Sequence, residues 1–423
     1  MTESDQRREA CPGRRVVVKG AASVVGAAGL TGTLAVGAAS GAPAAGSDAG
    51  RVPFHGAHQA GILTRQQPFG GFVAFDVLAH DRAGLTALLK KLTARCRTLT
   101  AGVTPQDPDV AALRDPEDRL TITVGVGASL FDGRYGLAGA LPPGLGLMPE
   151  FPGDRLDPGS CHGDLSVQVC AQHPDAVLHV VRDLARETSG LLRTRWRANG
   201  FVNPPRPEGA PRSFVGFKDG TAHPDTASER EMNRLVWVGP EGPGWARGGS
   251  YQVLRTIRLR AEAWDRVPLG EQERIFGRRK STGAPLDGRK ESDLPDYGRD
   301  PQGRVTPLDS HIRRANPRTP GSEDSVLLRR SYNIDRGLAP DGTLDVGLVF
   351  CCYQRDINRQ FATVQKRLEG ERFADFSTTT GGGYFLALPG VTDASDWYGS
   401  ALLGSRDHGA AAPRRPAKSA LRS

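Results

Sequence analysis

The hydrophobic period of this chain switches between two and about 3.6 residues, and it runs through the same order twice. In the first pass, Phe72–Val77 reads as a strand. A helix follows over 82–98, with Leu85, Leu88, Leu89 and Leu92 on one face. Leu120–Val126 alternates with period two and Leu165–Cys170 makes a further strand, before a helix over 174–190. In the second pass, Tyr251–Leu259 is a strand and Glu262–Phe276 a helix. Val346–Tyr353 is then a strand, Ile357–Leu368 a helix and Tyr384–Leu388 a strand. Such alternation excludes a coiled coil or a helical solenoid, and 53 glycines and 31 prolines add many turns. The expectation is an α+β fold of two related domains, 55–225 and 226–404, each an antiparallel sheet with peripheral helices. Residues 278–310, rich in charge, Gly and Pro, read as a long surface excursion.

The ends have a different composition. Arg14 and Arg15 precede residues 20–39, which carry no charge, and Ala42-Pro43-Ala44-Ala45-Gly46 follows. Paired arginines, a weakly apolar Ala/Gly stretch and small residues match a twin-arginine signal over 1–46, cleaved near 44–46, with 47–54 as a linker. The rival reading is a retained membrane anchor, but only Val24, Val25, Leu30, Leu34 and Val36 are bulky aliphatics there. Residues 405–423 read as a disordered basic tail.

The formal charge is +8, of which residues 1–46 carry +2 and residues 405–423 carry +4. The basicity therefore belongs mostly to the ends, and a nucleic-acid partner loses its support. Outside the signal the cysteines are Cys96, Cys161, Cys170, Cys351 and Cys352, an odd number with two adjacent, which does not suit a disulfide framework. CxxC, CxxCH and HExxH are absent from the sequence, against a zinc knuckle, attached c-type haem or a zincin.

Three local clusters carry candidate chemistry. The first is Gly216-Phe217-Lys218-Asp219-Gly220-Thr221 with His223-Pro224 behind it, where an acid between two glycines can approach a ligand closely. Alone, Asp219 is as well explained by an Asx turn. The second is Asp309-Ser310-His311-Ile312-Arg313-Arg314-Ala315-Asn316-Pro317-Arg318, with Asp309 or Ser310 placed to cap a short helix that Pro317 ends. The third is Leu327-Leu328-Arg329-Arg330-Ser331-Tyr332, whose arginines would ordinarily be solvated.

In that order and spacing the three clusters resemble the dye-decolourising peroxidases, which bind haem b. So do Gln59-Ala60-Gly61-Ile62-Leu63-Thr64 with the strand at 72–77, and Gly163-Asp164-Leu165 up to Cys170-Ala171. Gly277-Arg278-Arg279-Lys280, Thr282 to Leu286, Gly347 to Phe350 with Asp356-Ile357, and Gly381 to Phe385 continue the match. With the export signal, the chain is most similar to the twin-arginine-exported, iron-uptake-associated branch, whose members have also been called deferrochelatases.

The resemblance implies two ferredoxin-like domains, with one haem b mainly in the second. It implies His311 as the proximal ligand of the haem iron, and Asp219 and Arg329 as the catalytic pair on the open side, where they cleave hydrogen peroxide on the way to a ferryl intermediate. Asp219 suits proton transfer and Arg329 a fixed positive charge. An aspartate with an ordinary pKa of about 4 implies acidic operation. Gly220, Thr221 and Ala222 would run along the haem. Asn316, Pro317 and Arg318 would lie at its edge, Arg318 against a propionate. Asp375 is the candidate acceptor for the other ring N–H of His311. Ser331 stands where the family often has Gly, so the motif alone leaves Arg329 and Arg330 both open as the inward arginine; the spacing of eighteen from His311 favours Arg329. Arg65 and His223 depart from the frequent Pro and Asn, and the second change would alter a contact at the haem edge.

The implied partners are hydrogen peroxide and an electron donor such as a dye or phenol, the twin-arginine translocon during export, and proteins of iron uptake. Electrons from bulky donors would hop through side chains such as Trp237, Trp245, Trp264, Trp397, Tyr332 or Tyr398. The alternatives are a haem-handling protein that releases iron, and a non-enzymatic haem-binding module.

Overall fold

A computed structural model of the chain describes residues 50–102 and 115–404. The segments read from sequence as an export signal (1–46) and a basic tail (405–423), with the first residues of the linker, lie outside the described residues.

Among the described residues, nine strands form one antiparallel sheet: β1 (Phe69–Val77), β2 (Thr121–Gly127), β3 (Leu165–Ala171), β4 (Leu192–Phe201), β5 (Ser250–Leu259), β6 (Leu328–Arg329), β7 (Tyr332–Leu338), β8 (Leu344–Gln354) and β9 (Ser377–Ala387). The order is β5-β9-β2-β3-β1-β4-β7-β8-β6, and β8 also pairs with β5 along its length. The sheet therefore closes into a barrel. This corrects the expectation of a separate sheet in each half. The two halves meet at β2–β9, through Gly125↔Ala387 to Gly127↔Phe385, and at β4–β7, through Phe201↔Asn333. Closure removes the free edges that two open sheets would expose.

Seven helices matter here: α1 (Arg82–Thr100), α2 (Pro174–Glu187), α3 (Glu229–Leu235), α4 (Ala261–Asp265), α5 (Leu269–Phe276), α6 (His311–Ala315) and α7 (Thr363–Leu368). Asp81 caps α1 by accepting from the Gly84 N–H at 2.7 Å. Leu85, Leu88, Leu89, Leu92, Cys96 and Leu99 bury its apolar face. Each such leucine contributes roughly 1.5–3 kcal/mol by leaving water. The helix read over 262–276 is two, because Pro268 supplies no amide donor and starts a new helix in extended backbone (ψ 142°). The helix read over 357–368 opens with a π-turn at Asn358–Ala362, closed by the Ala362 N–H on the Ile357 carbonyl.

Inside the barrel, alternate residues of the strands pack together: Phe72 and Ala74, Cys351 and Tyr353, Phe385 and Ala387. Outside the second half, Val215, Phe217, Leu259, Trp264 and Ile275 form a smaller core. The five cysteines among the described residues are all buried and free. The excursion at 278–310 is not purely a surface feature: Arg278 and Tyr297 are buried, and with Pro295 they line the cavity described next.

Candidate active site

The GxxDG segment is a turn that both glycines make possible. Gly216 (φ +83°) and Gly220 (φ +102°) adopt backbone conformations that a side chain disfavours. Arg212 ties the turn down by donating to the carbonyls of Gly216 at 2.8 Å and Ser281 at 2.7 Å. Lys218 anchors its far side on Glu291. Asp219 is thereby held on the wall of a cavity of about 340 Å³.

Arg329 enters that cavity from β6, where it pairs with Cys352 of β8. Its Nη2 donates to Asp219 Oδ1 at 3.1 Å. Neighbouring strand residues face opposite sides, and Arg330 accordingly points into the barrel. There it donates to the Thr64 carbonyl and to Gln67 Oε1 and is buried. Of the two arginines, Arg329 is the one on the cavity.

His311 is the first residue of α6. Ser310 occupies the cap position, but its hydroxyl turns back to the Pro307 carbonyl at 2.7 Å. The imidazole lines the same cavity, and its Nδ1 lies 2.7 Å from Glu371 Oε2. Asp375, the acceptor expected from sequence, does not make this bond. It sits on the turn Arg372–Phe376 beyond Glu371, and its backbone carbonyl accepts from Arg260. With Nδ1 donating to a carboxylate, the lone pair is left on Nε2. Burial pulls the His311 pKa down, but the charge and hydrogen bond of Glu371 outweigh it, and the net shift is upward.

Asp219 shows the opposite balance. Burial pushes its pKa up, yet the Arg329 guanidinium, then His223 and the Arg329 hydrogen bond, hold it below the ordinary carboxylate value. Its side chain keeps 36% of its surface open and that of Arg329 28%, so both remain reachable.

Thr221, Ala222, Asn316 and Arg318 also line the cavity. Gly220 and Pro317 do not; Gly220 lies with His223 on a smaller adjoining cavity that shares Asp219 and Arg329 with the large one. Arg318 has a positive φ of 55° and a buried Nε without a hydrogen-bond partner. Arg278 Nε and the Tyr297 hydroxyl, also on the wall, are likewise buried and unpartnered. Sequence reasoning missed Arg278, Tyr297 and Glu371. Apolar walls come from residues such as Ile257, Phe276, Leu348, Phe350, Phe361 and Phe373.

Two family comparisons match the chain: residues 59–202 match the Dyp-type peroxidase N-terminal family and residues 210–392 the Dyp-type peroxidase C-terminal family. The chain belongs to the Dyp-type peroxidases. A deferrochelatase of Escherichia coli (strain UTI89 / UPEC) is 48% identical over 414 residues, 93% of this chain and 97% of that protein. One from Escherichia coli (strain K12) is 49% identical, over 84% and 87% of the two chains. Among solved structures, a DyP-type peroxidase from Cellulomonas bogoriensis is 38% identical with a TM-score of 0.77, covering 85% of this chain and all of that one. Ferric DtpA from Streptomyces lividans is 34% identical with a TM-score of 0.78, covering 86% and 100%.

Proposed function

We propose that this peroxidase works through haem b held in the 340 Å³ cavity, with His311 on the iron and Asp219 and Arg329 handling hydrogen peroxide. The residues fit the group. An imidazole with a free Nε2 lone pair, apolar walls and the unpartnered donors of Arg318, Arg278 and Tyr297 suit a flat, largely apolar ligand with a metal centre and two carboxylates. When bound, haem b would supply a redox-active iron and the electrons that O–O cleavage requires.

The residues of the chain do the rest. Glu371 holds the tautomer and orientation of His311. Asp219, ionised because of Arg329, accepts a proton from one peroxide oxygen and returns it to the departing one. Arg329, always charged, stabilises the negative charge that develops there. The observation that carries this reading is the 3.1 Å pair of Asp219 and Arg329 on the cavity that His311 also lines. Dyes, phenols or similar donors then provide the electrons. Of the aromatic stations considered from sequence, Trp264 is the one linked by ring contacts to His311, through Phe276 at 5.6 and 5.7 Å. The test is a Soret band in the purified protein and peroxide-dependent oxidation of a dye, both lost in His311→Ala.

A second reading rests on the relatives named deferrochelatase: removal of iron from haem with the porphyrin left intact. Iron-free porphyrin formed in stoichiometric yield would favour it. The same reading includes partners in iron uptake, and export by the twin-arginine route to the periplasm, envelope or exterior, supported by Arg14-Arg15 and the uncharged run after them. The strand orders β4-β1-β3-β2 and β9-β5-β8-β7 support describing the halves, 55–225 and 226–404, as two ferredoxin-like domains joined into one barrel.

A further inference from the structure

Asp219 and Arg329 line two cavities. Beside the large one is a second, of about 30 Å³, which shares the pair as part of its wall. Its other polar lining includes Gln66, Arg212, His223, Ser331 and Asn333. A site that holds one water needs about 10–15 Å³ by this kind of measure, so there is room for about two. The walls offer these waters both donors and acceptors. His223 is exposed to solvent, and its ring lies over the backbone just past Asp219. A Cβ placed on Gly220 would come within 3.6 Å of its Cε1.

Reduction of hydrogen peroxide to two waters takes up two electrons and two protons. In the cleavage step Asp219 only moves a proton from one oxygen to the other, so it ends as it began. When the electrons come from a donor at the protein surface, the two protons have to arrive from solvent by a route of their own. The large cavity is apolar on much of its wall and is the place proposed above for the haem. The small one carries polar side chains, has room for water and reaches Asp219 directly.

We propose that the small cavity is the proton inlet of the active site, and that His223 is its outer station, passing protons from solvent through the enclosed water to Asp219. His223 is thus a positioning residue that acts through Asp219, and the inference rests on the role of Asp219 given above. The charged groups facing the inlet are Arg212 from the 211–213 segment, Arg329 from β6 and Asp219 itself. Desolvation by the protein packed around the inner side of the ring, and then the Arg329 charge, pull the His223 pKa down to about 4, with Asp219 acting in the opposite direction. Above that pH the imidazole is neutral, one nitrogen able to accept a proton while the other donates. Asp219 is also held low, so a proton moving between the two is trapped on neither.

The experiment compares wild type, His223→Leu and Asp219→Asn as haem-loaded proteins. Turnover with hydrogen peroxide and a phenol is measured from pH 4 to 8 in light and heavy water, with and without added imidazole. His223→Leu should lower turnover about 10-fold, below the 10²–10⁴ of a positioned proton carrier because water still conducts. It should also raise the solvent isotope effect and recover with imidazole. A second readout is the His223 titration followed by NMR of labelled histidine in the diamagnetic ferrous carbon monoxide form. Asp219→Asn should lower the His223 pKa further by removing its negative neighbour. Unchanged turnover and isotope effect in His223→Leu, beside a slowed Asp219→Asn, would overturn the inlet alone. A loss that imidazole does not restore would also overturn it, as a structural effect. A wild-type peroxide reaction in Asp219→Asn would overturn the role of Asp219 on which the inlet depends.

Discussion

Glu371 accepts the Nδ1 hydrogen bond of His311 at 2.7 Å, across sixty residues of chain. The carboxylate is almost enclosed, with 10% of its side chain exposed, so little solvent weakens the pair. It fixes which nitrogen of His311 carries the lone pair and makes that nitrogen more basic.

Glu371→Ala should therefore weaken haem binding roughly 10–100-fold, the usual cost of losing such a partner. Asp375→Ala should bind haem as the wild type does, because its side chain is not the acceptor. Titration of the apoprotein with haem, followed at the Soret band, measures both. Glu371→Gln should also raise the haem midpoint potential, since a negative charge that favours the ferric state is lost.

Arg318 separates binding from stability. Its φ of 55° costs a non-glycine residue about 1–2 kcal/mol, while glycine costs about 0.5–1 kcal/mol in backbone entropy. Arg318→Gly should leave the unfolding free energy of the haem-free protein unchanged or slightly higher. The same substitution should weaken haem binding, because the guanidinium, whose Nε is buried without a partner, suits a propionate. Denaturant unfolding and haem titration on one preparation check the two signs.

The strands with clear apolar alternation were legible from sequence, β1, β2, β3, β5 and β8 among them. β4 was not, because Arg193, Arg195 and Arg197 face outward and only Trp196 is buried, so its pattern looks like a polar segment. β6 is two residues long and β7 carries Asp335 and Arg336, too little periodicity to detect. Barrel closure was hidden as well, since it rests on short pairings between distant strands. The motif residues Asp219, His311 and Arg329 do meet on one cavity. The acceptor for His311 was misplaced because Glu369, Glu371 and Asp375 stand within seven positions, and only the turn between α7 and β9 decides among them. Arg278 and Tyr297 belong to a charged, Pro- and Gly-rich stretch whose composition reads as surface.

Trp264 holds the small core beside His311, in edge-to-face contact with Phe276, Phe373 and Phe376. Trp264→Ala should cost roughly 3–5 kcal/mol of stability through the cavity it leaves. Trp264→Phe should cost much less while removing the oxidisable indole. A fold of wild-type stability with slower oxidation of a bulky dye in Trp264→Phe would assign electron transfer to this ring. Unchanged dye oxidation would remove it from the route.

Replacing Arg14 and Arg15 with lysines should stop export while leaving the folded domain intact, because charge is kept and only the guanidinium pair is lost. Cell fractionation checks it: the variant should accumulate in the cytoplasm with the wild-type Soret spectrum. Normal yield outside the cytoplasm would exclude the twin-arginine route.

The most direct test of the peroxidase site is the rate of reaction with hydrogen peroxide, followed by stopped-flow absorbance from pH 3 to 8. Asp219 acts as a carboxylate and its pKa is held below the ordinary value by Arg329, so the wild-type rate should stay level and fall only as the pH drops through that lowered pKa. Arg329→Leu should slow the reaction by roughly 10²–10³ at every pH, the loss expected for one preorganised charge at the reacting oxygen. It should also move the acidic fall to higher pH, because the main downward pull on Asp219 is gone. Asp219→Asn should slow the reaction less, as water partly replaces it, and should abolish the acidic fall. Both variants should keep their haem, since neither residue is the iron ligand. Wild-type rates and an unchanged pH profile in both haem-loaded variants would contradict the assignment of peroxide chemistry to this pair.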